Sequence, residues 1–329
     1  MKTVCPPKWH FENLSQSLNT QRQTRIMDFS PYGEATEEWT SYVSAHPEIL
    51  QAETASPAPS LAEMHASTTA TRSTQDRENL KESGLEGKVT TRDYQVATRD
   101  GSSILLRLYA PNGAPPSEGR PVYVHFHAGG FIHGSLDTEG FVCASIAIGL
   151  DVIVLHPCFR HIHEAKHPTQ HHDAWDAMVW LLNHAHAFGG DLRNLVVGGI
   201  SSGAALAASV TQQFCASGRG SEAVRLKGQV LIIPWLVQPD MFPYLLFADV
   251  KKTSLVQCAD AVSLSTNGVK WISGLLEAED IRDPLLNPAL ADDEVLRSLP
   301  KTALIVAGGD PLRDDGLIYA TRLKQIGFV

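Results

Sequence analysis

From residue 88 onward the chain alternates between two patterns. Short runs that are apolar throughout are PVYVHFHA (121–128), DVIVLHPC (151–158), NLVVGGI (194–200), QVLIIPW (229–235) and KTALIVAGG (301–309). Between them lie longer segments with apolar residues at helical spacing. One is 169–187, carrying Trp175, Met178, Val179, Leu181 and Leu182; another is SGAALAASVTQQFCA (202–216). A strand apolar on both faces must be covered on both, and strands separated by helices pair in parallel. The pattern therefore predicts an α/β fold with a mostly parallel central sheet flanked by helices. Ahead of it, VTTRDYQVATRDGSSILLRLYAP (89–111) reads as two strands around Asp100-Gly101, a two-residue hairpin signal. Residues 313–326 read as a closing helix.

Three regions fall outside this rhythm. Residues 1–33 are expected to be an N-terminal extension, disordered or mis-annotated, with Met27 a candidate true start. Residues 34–50 and 60–82 are weakly helical and joined by AETASPAPS, a linker by composition. They are expected to form a helical cap segment over 34–87, leaving 88–329 as the α/β domain. Residues 236–290 contain MFPYLLF and VKWISGLLE, apolar without strand rhythm. An insertion there, after a strand at the carboxyl edge of the sheet, is where a lid would sit.

Composition narrows the function. The 329 residues are 43% hydrophobic and 19% charged, which excludes a wholly disordered or fibrous chain. The net charge of −9, without a basic stripe, argues against nucleic acid and anionic membranes. No stretch approaches 18 uninterrupted apolar residues and the N-terminus has no apolar signal core, so a cytoplasmic protein without a membrane span is expected. Cys5, Cys143, Cys158, Cys215 and Cys258 form no CxxC pair and read as reduced thiols, neither a disulfide framework nor a zinc site.

Three motifs carry chemistry. Gly199-Ile200-Ser201-Ser202-Gly203 lies between a predicted strand and a predicted helix, the setting of a nucleophile elbow. So tight a turn leaves no room for side chains at its flanks, hence Gly199 and Gly203. It lifts Ser201 Oγ above the sheet at a helix N-terminus, whose dipole favours negative charge. His127-Ala128-Gly129-Gly130-Phe131 ends another strand. Acyl transfer develops an oxyanion that needs preorganised N–H donors; Gly129, Gly130 and Ser202 are the expected ones, with His127 supporting the loop. Gly309-Asp310-Pro311-Leu312-Arg313-Asp314 follows the last strand. A carboxylate there can orient a catalytic histidine. Asp310 is the choice and Asp314, better suited to a helix N-cap, the runner-up.

In these motifs the chain resembles the hormone-sensitive-lipase-like family of α/β-hydrolases over roughly residues 88–329. HAGGF is similar to its oxyanion motif, with Ala128 in place of the first glycine. GISSG is similar to its elbow, DPLRD to its acid motif, and FRHIHEAKHPTQHHDAWDAMVWL to its segment after the fourth strand. The resemblance implies hydrolysis of a small carboxylic ester through an acyl-enzyme, with no metal or cofactor, and by analogy with fungal relatives the tailoring of a secondary metabolite.

The family order is Ser, Asp, His. Here all 14 histidines precede Ser201, the last being His186, and only 19 residues follow Asp310. The expectation is that the family's final strand, histidine loop and final helix are missing. His133 is the first substitute base to consider. His156, His161, His163, His167, His171 and His172 read as a polar loop, and the His167/His171 spacing suits a metal only if both are helical. Two alternatives to an esterase stand: a non-catalytic small-molecule binding protein of the same fold, and a truncated, inactive gene product. A homodimer through an uncovered last strand is also expected.

Overall fold

The computed structural model describes residues 27–50 and 59–327. Cys5, the expected extension up to residue 26 and linker residues 52–58 lie outside them. Seven strands form one sheet: β1 (Val89–Ala97), β2 (Ser103–Pro111), β3 (Arg120–Phe126), β4 (Ile153–Cys158), β5 (Gly190–Ile200), β6 (Leu226–Ile232) and β7 (Lys301–Ile305). Their order is β1-β2-β4-β3-β5-β6-β7. The five strands from β4 to β7 are mutually parallel, while β2 runs antiparallel to both β1 and β4.

The hairpin differs from its expectation. Ala97 pairs with Ser103, so five residues turn the chain instead of two. Thr98 Oγ1 donates to Asp100 Oδ1 at 2.6 Å and Gly101 adopts φ 84°, which closes the wider loop. Two strands are also shorter than their apolar runs. Strand β6 stops at Ile232 because Ile233 turns to φ 40° and Pro234 has no N–H for a ladder. Strand β7 stops at Ile305, before the turn through Gly308 and Gly309.

The helices follow the pattern. α1 (Glu37–Ala45) and α2 (Leu61–Glu82) precede the sheet; α3 (Gly140–Leu150), α4 (Thr169–His184) and α5 (Ser202–Ala216) connect its strands. After β6 come four 3-10 turns together with α6 (Ser254–Gln257), α7 (Thr266–Leu275) and α8 (Asp293–Arg297), and α9 (Arg313–Gln325) follows β7. Helix α5 is central. Its Ala204, Ala205, Leu206, Ala207, Ala208 and Val210 are buried, and the small side chains let it lie close to the sheet. Among the described residues no helix is long and apolar enough to cross a membrane.

Residues 27–33, grouped with the extension on sequence grounds, are ordered against the insertion. Met27 N donates to Leu246 O at 2.8 Å, Phe29 meets Phe247 edge-to-face at 5.8 Å, and Lys252 pairs with Asp28 at 2.6 Å. The boundary moves to residue 27 because Met27 and Phe29 pack against an apolar cluster of Phe242, Leu246, Phe247 and Ile318. At the other end, β7 is the edge of the sheet and Ile305 is 56% exposed.

Candidate active site

The parallel register brings the motif loops to one edge. Phe126 at the end of β3 lies opposite Gly199 at the end of β5, and Ile200 lies opposite Ile232. Ser201 sits between β5 and α5 with φ 55° and ψ −117°, a conformation that costs a non-glycine residue about 1–3 kcal/mol. Backbone bonds on every side hold it. Ser201 N donates to Ile232 O at 2.9 Å, and Ser201 O accepts from Ala204 N at 3.0 Å and Ala205 N at 3.1 Å. The flanking glycines are steric necessities. A Cβ on Gly203 would overlap Phe126 O and His127 O, and one on Gly199 would overlap Gly203 and Phe126 O. Glycine thus lets the elbow back directly onto the loop that follows β3.

That loop turns through Gly129 (φ 138°), Gly130 (φ 61°) and Phe131 (φ 60°), and Gly129 O accepts from both Ile132 N and His133 N at 3.0 Å. The N–H groups of Gly129, Gly130 and Ser202 make no hydrogen bond among the described residues. Ala128 differs. Its backbone lies outside the left-handed region, so a Cβ is tolerated. Its N–H donates to Glu139 Oε1 at 2.8 Å and its carbonyl accepts from His127 Nδ1 at 2.9 Å. Ala128 is therefore an anchor of the turn, and the two glycines carry the free donors.

His127 is fully buried and stacks on Phe159 at 4.5 Å. Burial, then the nearby His161, lowers its pKa to about 4, so the ring is neutral at pH 7 and holds the loop by its Nδ1–H. A Cβ on Gly134 would overlap that ring.

Glu139 is the functional residue that sequence reading missed. Its Oε2 accepts from His125 Nε2 at 2.6 Å while Oε1 holds Ala128 N–H, so one buried carboxylate joins β3, the loop and the start of α3. Burial raises its pKa, but the His125 bond, the adjacent His125 and His127 rings and the Ala128 N–H bring it below the ordinary value. The available signal was an acid directly before GFVCASIAIGL. That run is apolar all round and gives no helical period.

Asp310 directly follows the turn after β7. It is half-buried, and Leu312 N donates to its Oδ1 at 2.8 Å. Burial pushes its pKa up, and the Leu312 bond opposes this. No imidazole meets its carboxylate among the described residues. Asp314 is not the N-cap of α9; Leu312 is. Its carboxylate is instead buried between Arg313 Nε at 2.8 Å and Ser254 N at 2.7 Å. A third acid, Asp315, accepts from Leu236 N and Val237 N at 3.0 Å each and ties α9 to the chain leaving β6. Burial pushes its pKa well above the usual carboxylate range.

The remaining histidines are apart from Asp310. His133 faces Arg72, His65 and His161, and burial leads in lowering its pKa to about 4. A general base works best with a pKa near the operating pH, so His133 is a weak candidate. His167 precedes α4 and pairs with Asp283 at 2.9 Å, so it does not share a helix face with His171. Among the described residues no three His, Cys, Asp or Glu side chains are placed to hold a metal ion. Cys143, Cys158, Cys215 and Cys258 are free thiols whose pKa values burial raises.

The insertion reaches the loop. A Cβ on Gly130 would lie 3.0 Å from Ile272 Cδ1 of α7, so this helix packs on the Gly129–Gly130 turn.

Comparison with known proteins bears on the family and the fold. A family model for the alpha/beta hydrolase fold matches residues 123–328. Esterase LipI of Mycobacterium tuberculosis is 33% identical over 225 residues, covering 67% of this chain and 65% of its own length. Ethyl acetate hydrolase of Pseudomonas putida is 30% identical over 237 residues, covering 71% and 70%. The chain thus spans about two thirds of the length of these relatives. An esterase structure from Pyrobaculum calidifontis superposes with a TM-score of 0.69 at 27% identity, covering 85% of this chain and 84% of that one. The structure of vibralactone cyclase superposes with a TM-score of 0.77 at 24% identity, covering 90% and 84%, which shows a shared fold. With its elbow and glycine turn in register at one sheet edge, the chain belongs to the alpha/beta hydrolase fold family.

Proposed function

We propose that this chain carries the acylation site of a carboxylic ester hydrolase. Ser201 is the nucleophile, the N–H groups of Gly129, Gly130 and Ser202 receive the oxyanion, and Asp310 is the acid of the site. The observation that carries the reading is Ser201 held at φ 55° with its helix start against the loop that bears two unengaged glycine N–H groups. Strain kept by surrounding bonds belongs to sites that need it. The esterase names of the relatives support the same chemistry. The finer reading, tailoring of a fungal-type secondary metabolite, rests on family resemblance.

In the acylation step Ser201 Oγ bonds to the ester carbonyl carbon, the ester C–O bond breaks, and the alcohol leaves. The serine proton must pass to a base, and no histidine follows Ser201 in these 329 residues. The second reading is a small-molecule binding protein that keeps the pocket without turnover. The experiment is intact-mass spectrometry after incubation with p-nitrophenyl butyrate and added imidazole. The expected result is one butyryl group per chain, absent from Ser201→Ala. No adduct on the wild type while the ester still binds would establish the second reading.

A further inference from the structure

A group of cationic and hydrogen-bonding side chains behind the oxyanion loop has no role in acylation. Helix α2 lies across the loop, with His65 Nδ1 donating to Ile132 O at 2.8 Å and Arg72 Nη1 reaching Ala128 O at 3.5 Å. The carbonyl and N–H of a trans peptide point in opposite directions. Arg72 therefore approaches the Ala128–Gly129 peptide from the side away from the Gly129 N–H. The His65 ring lies 4.6 Å from both His161 and His163, and the groups facing His133 are Arg72, His65 and His161.

These groups are poorly matched to one another. Arg72 is half-buried and forms no ion pair among the described residues. His161 is 2% exposed. Its Nδ1 faces Glu164 at 3.3 Å, and its Nε2, across the ring, has no partner. His133 Nδ1 and His163 Nδ1 are likewise buried and unpartnered. Among the described residues the carboxylate at the cluster is Glu164, whose side chain is 45% exposed and bonds to His161 N and Nδ1, not to Arg72. A buried polar group left unpaired costs about 1–3 kcal/mol, so several such nitrogens beside a guanidinium without a carboxylate partner favour an anionic ligand. A cation is disfavoured by Arg72, and no three ligating side chains are placed to hold a metal among the described residues.

We propose that Arg72, His65, His133, His161 and His163 form a binding site for a small oxyanion, a carboxylate or a phosphate, at the junction of α2 with the oxyanion loop. Arg72 offers the planar fork that suits such groups, and the unpartnered Nδ1–H groups of His133 and His163 complete the shell beside His65 and His161. The bound anion would fasten α2 to the back of the Gly129–Gly130 turn. The proposal does not depend on Ser201 acting as a nucleophile.

The test is thermal denaturation and titration calorimetry of the whole chain at pH 7 with sodium phosphate and with sodium acetate. Sodium chloride at equal ionic strength is the control. The expected result is a saturable rise in Tm with at least one oxyanion, abolished by Arg72→Gln and with affinity at least tenfold weaker in His133→Asn. A stronger response to phosphate identifies a phosphate-bearing ligand, and a stronger response to acetate a carboxylate. Ser201→Ala keeps the response, which separates this proposal from the esterase reading. A Tm no different from that in chloride, or a response that survives Arg72→Gln, overturns it. Should Arg72→Gln fail to fold, imidazole resonances of the wild type decide. Phosphate or acetate must shift those of His133, His161 and His163, and unshifted resonances contradict the site.

Discussion

The two ends of the catalytic edge are built on different terms. Around β3 and β5, Ser201 and the glycine turn are packed backbone against backbone, with no room for a Cβ at Gly199, Gly203 or Gly129. Around β7, Asp310 is half-buried, a Cβ at Gly309 would meet nothing within 4 Å, and the strand's outer edge is open to solvent at Ile305. The half proposed for the nucleophile and oxyanion is thus over-determined, while in the half proposed for the acid no imidazole meets Asp310 among the described residues. A site can be preorganised for the oxyanion without being equipped to move the proton.

The largest effect should come from adding one methyl group to each half. Gly203→Ala forces Cβ onto two fixed carbonyl oxygens and should destabilise by about 4 kcal/mol, whereas Gly309→Ala should stay within about 0.5 kcal/mol. Urea denaturation of both variants measures the contrast. Equal losses would dissolve the comparison.

Glu139→Ala should cost about 3 kcal/mol, because it leaves Ala128 N–H and the His125 ring buried without their acceptor. Glu139→Gln keeps an acceptor and should lose less. Identical losses in the two variants would mean that the carboxylate does not anchor the loop.

Acid should act on the same half. His127 and His133 have pKa values lowered to about 4 in the folded chain, against about 6.5 unfolded. Between those values the unfolded state binds more protons, so their contribution is present above pH 6.5 and lost as pH falls to about 4. Glu139, lowered by its partners, weakens in the same direction when it protonates. Tm should therefore fall between pH 6.5 and 4, and by less in His133→Asn. A Tm unchanged over that window would contradict the neutral, buried state of these rings.

The smallest effect concerns the open edge. An uncovered strand with an exposed apolar residue templates pairing, so the chain should self-associate through β7, and Ile305→Lys should weaken that association with little change in stability. Light scattering after size-exclusion chromatography reads the outcome; a monodisperse wild-type monomer at high concentration would show the edge protected.

The sheet and the elbow were legible in sequence because they rest on local rules: apolar runs of strand length, a helix rich in small residues, and glycines where no side chain fits. What was hidden rests on contacts distant in sequence. Helix α2 reads weakly because it docks through polar groups, His65 on Ile132 O and Asp76 on Phe141 N, and Asp76 is its one buried residue. Glu139 acts on Ala128 through a fold-back of 11 residues, and Asp315 acts across 79. No periodicity encodes either. The hairpin loop is wider than the Asp-Gly pair suggests because Thr98 and Asp100 close it through their own hydrogen bonds.

The proposed serine site, preorganised at Ser201 and the Gly129–Gly130 turn with no imidazole on Asp310 among the described residues, is tested most directly by the steady-state hydrolysis of p-nitrophenyl butyrate. Wild type and Ser201→Ala are compared with and without imidazole. Removing one triad member leaves only about 10³–10⁴-fold acceleration over water. The predicted result is residual turnover by the wild type, raised by imidazole well beyond the rise seen with Ser201→Ala. Turnover at ordinary esterase rates without imidazole, abolished in Ser201→Ala, would contradict it and reveal another base, with His133→Asn the first variant to examine.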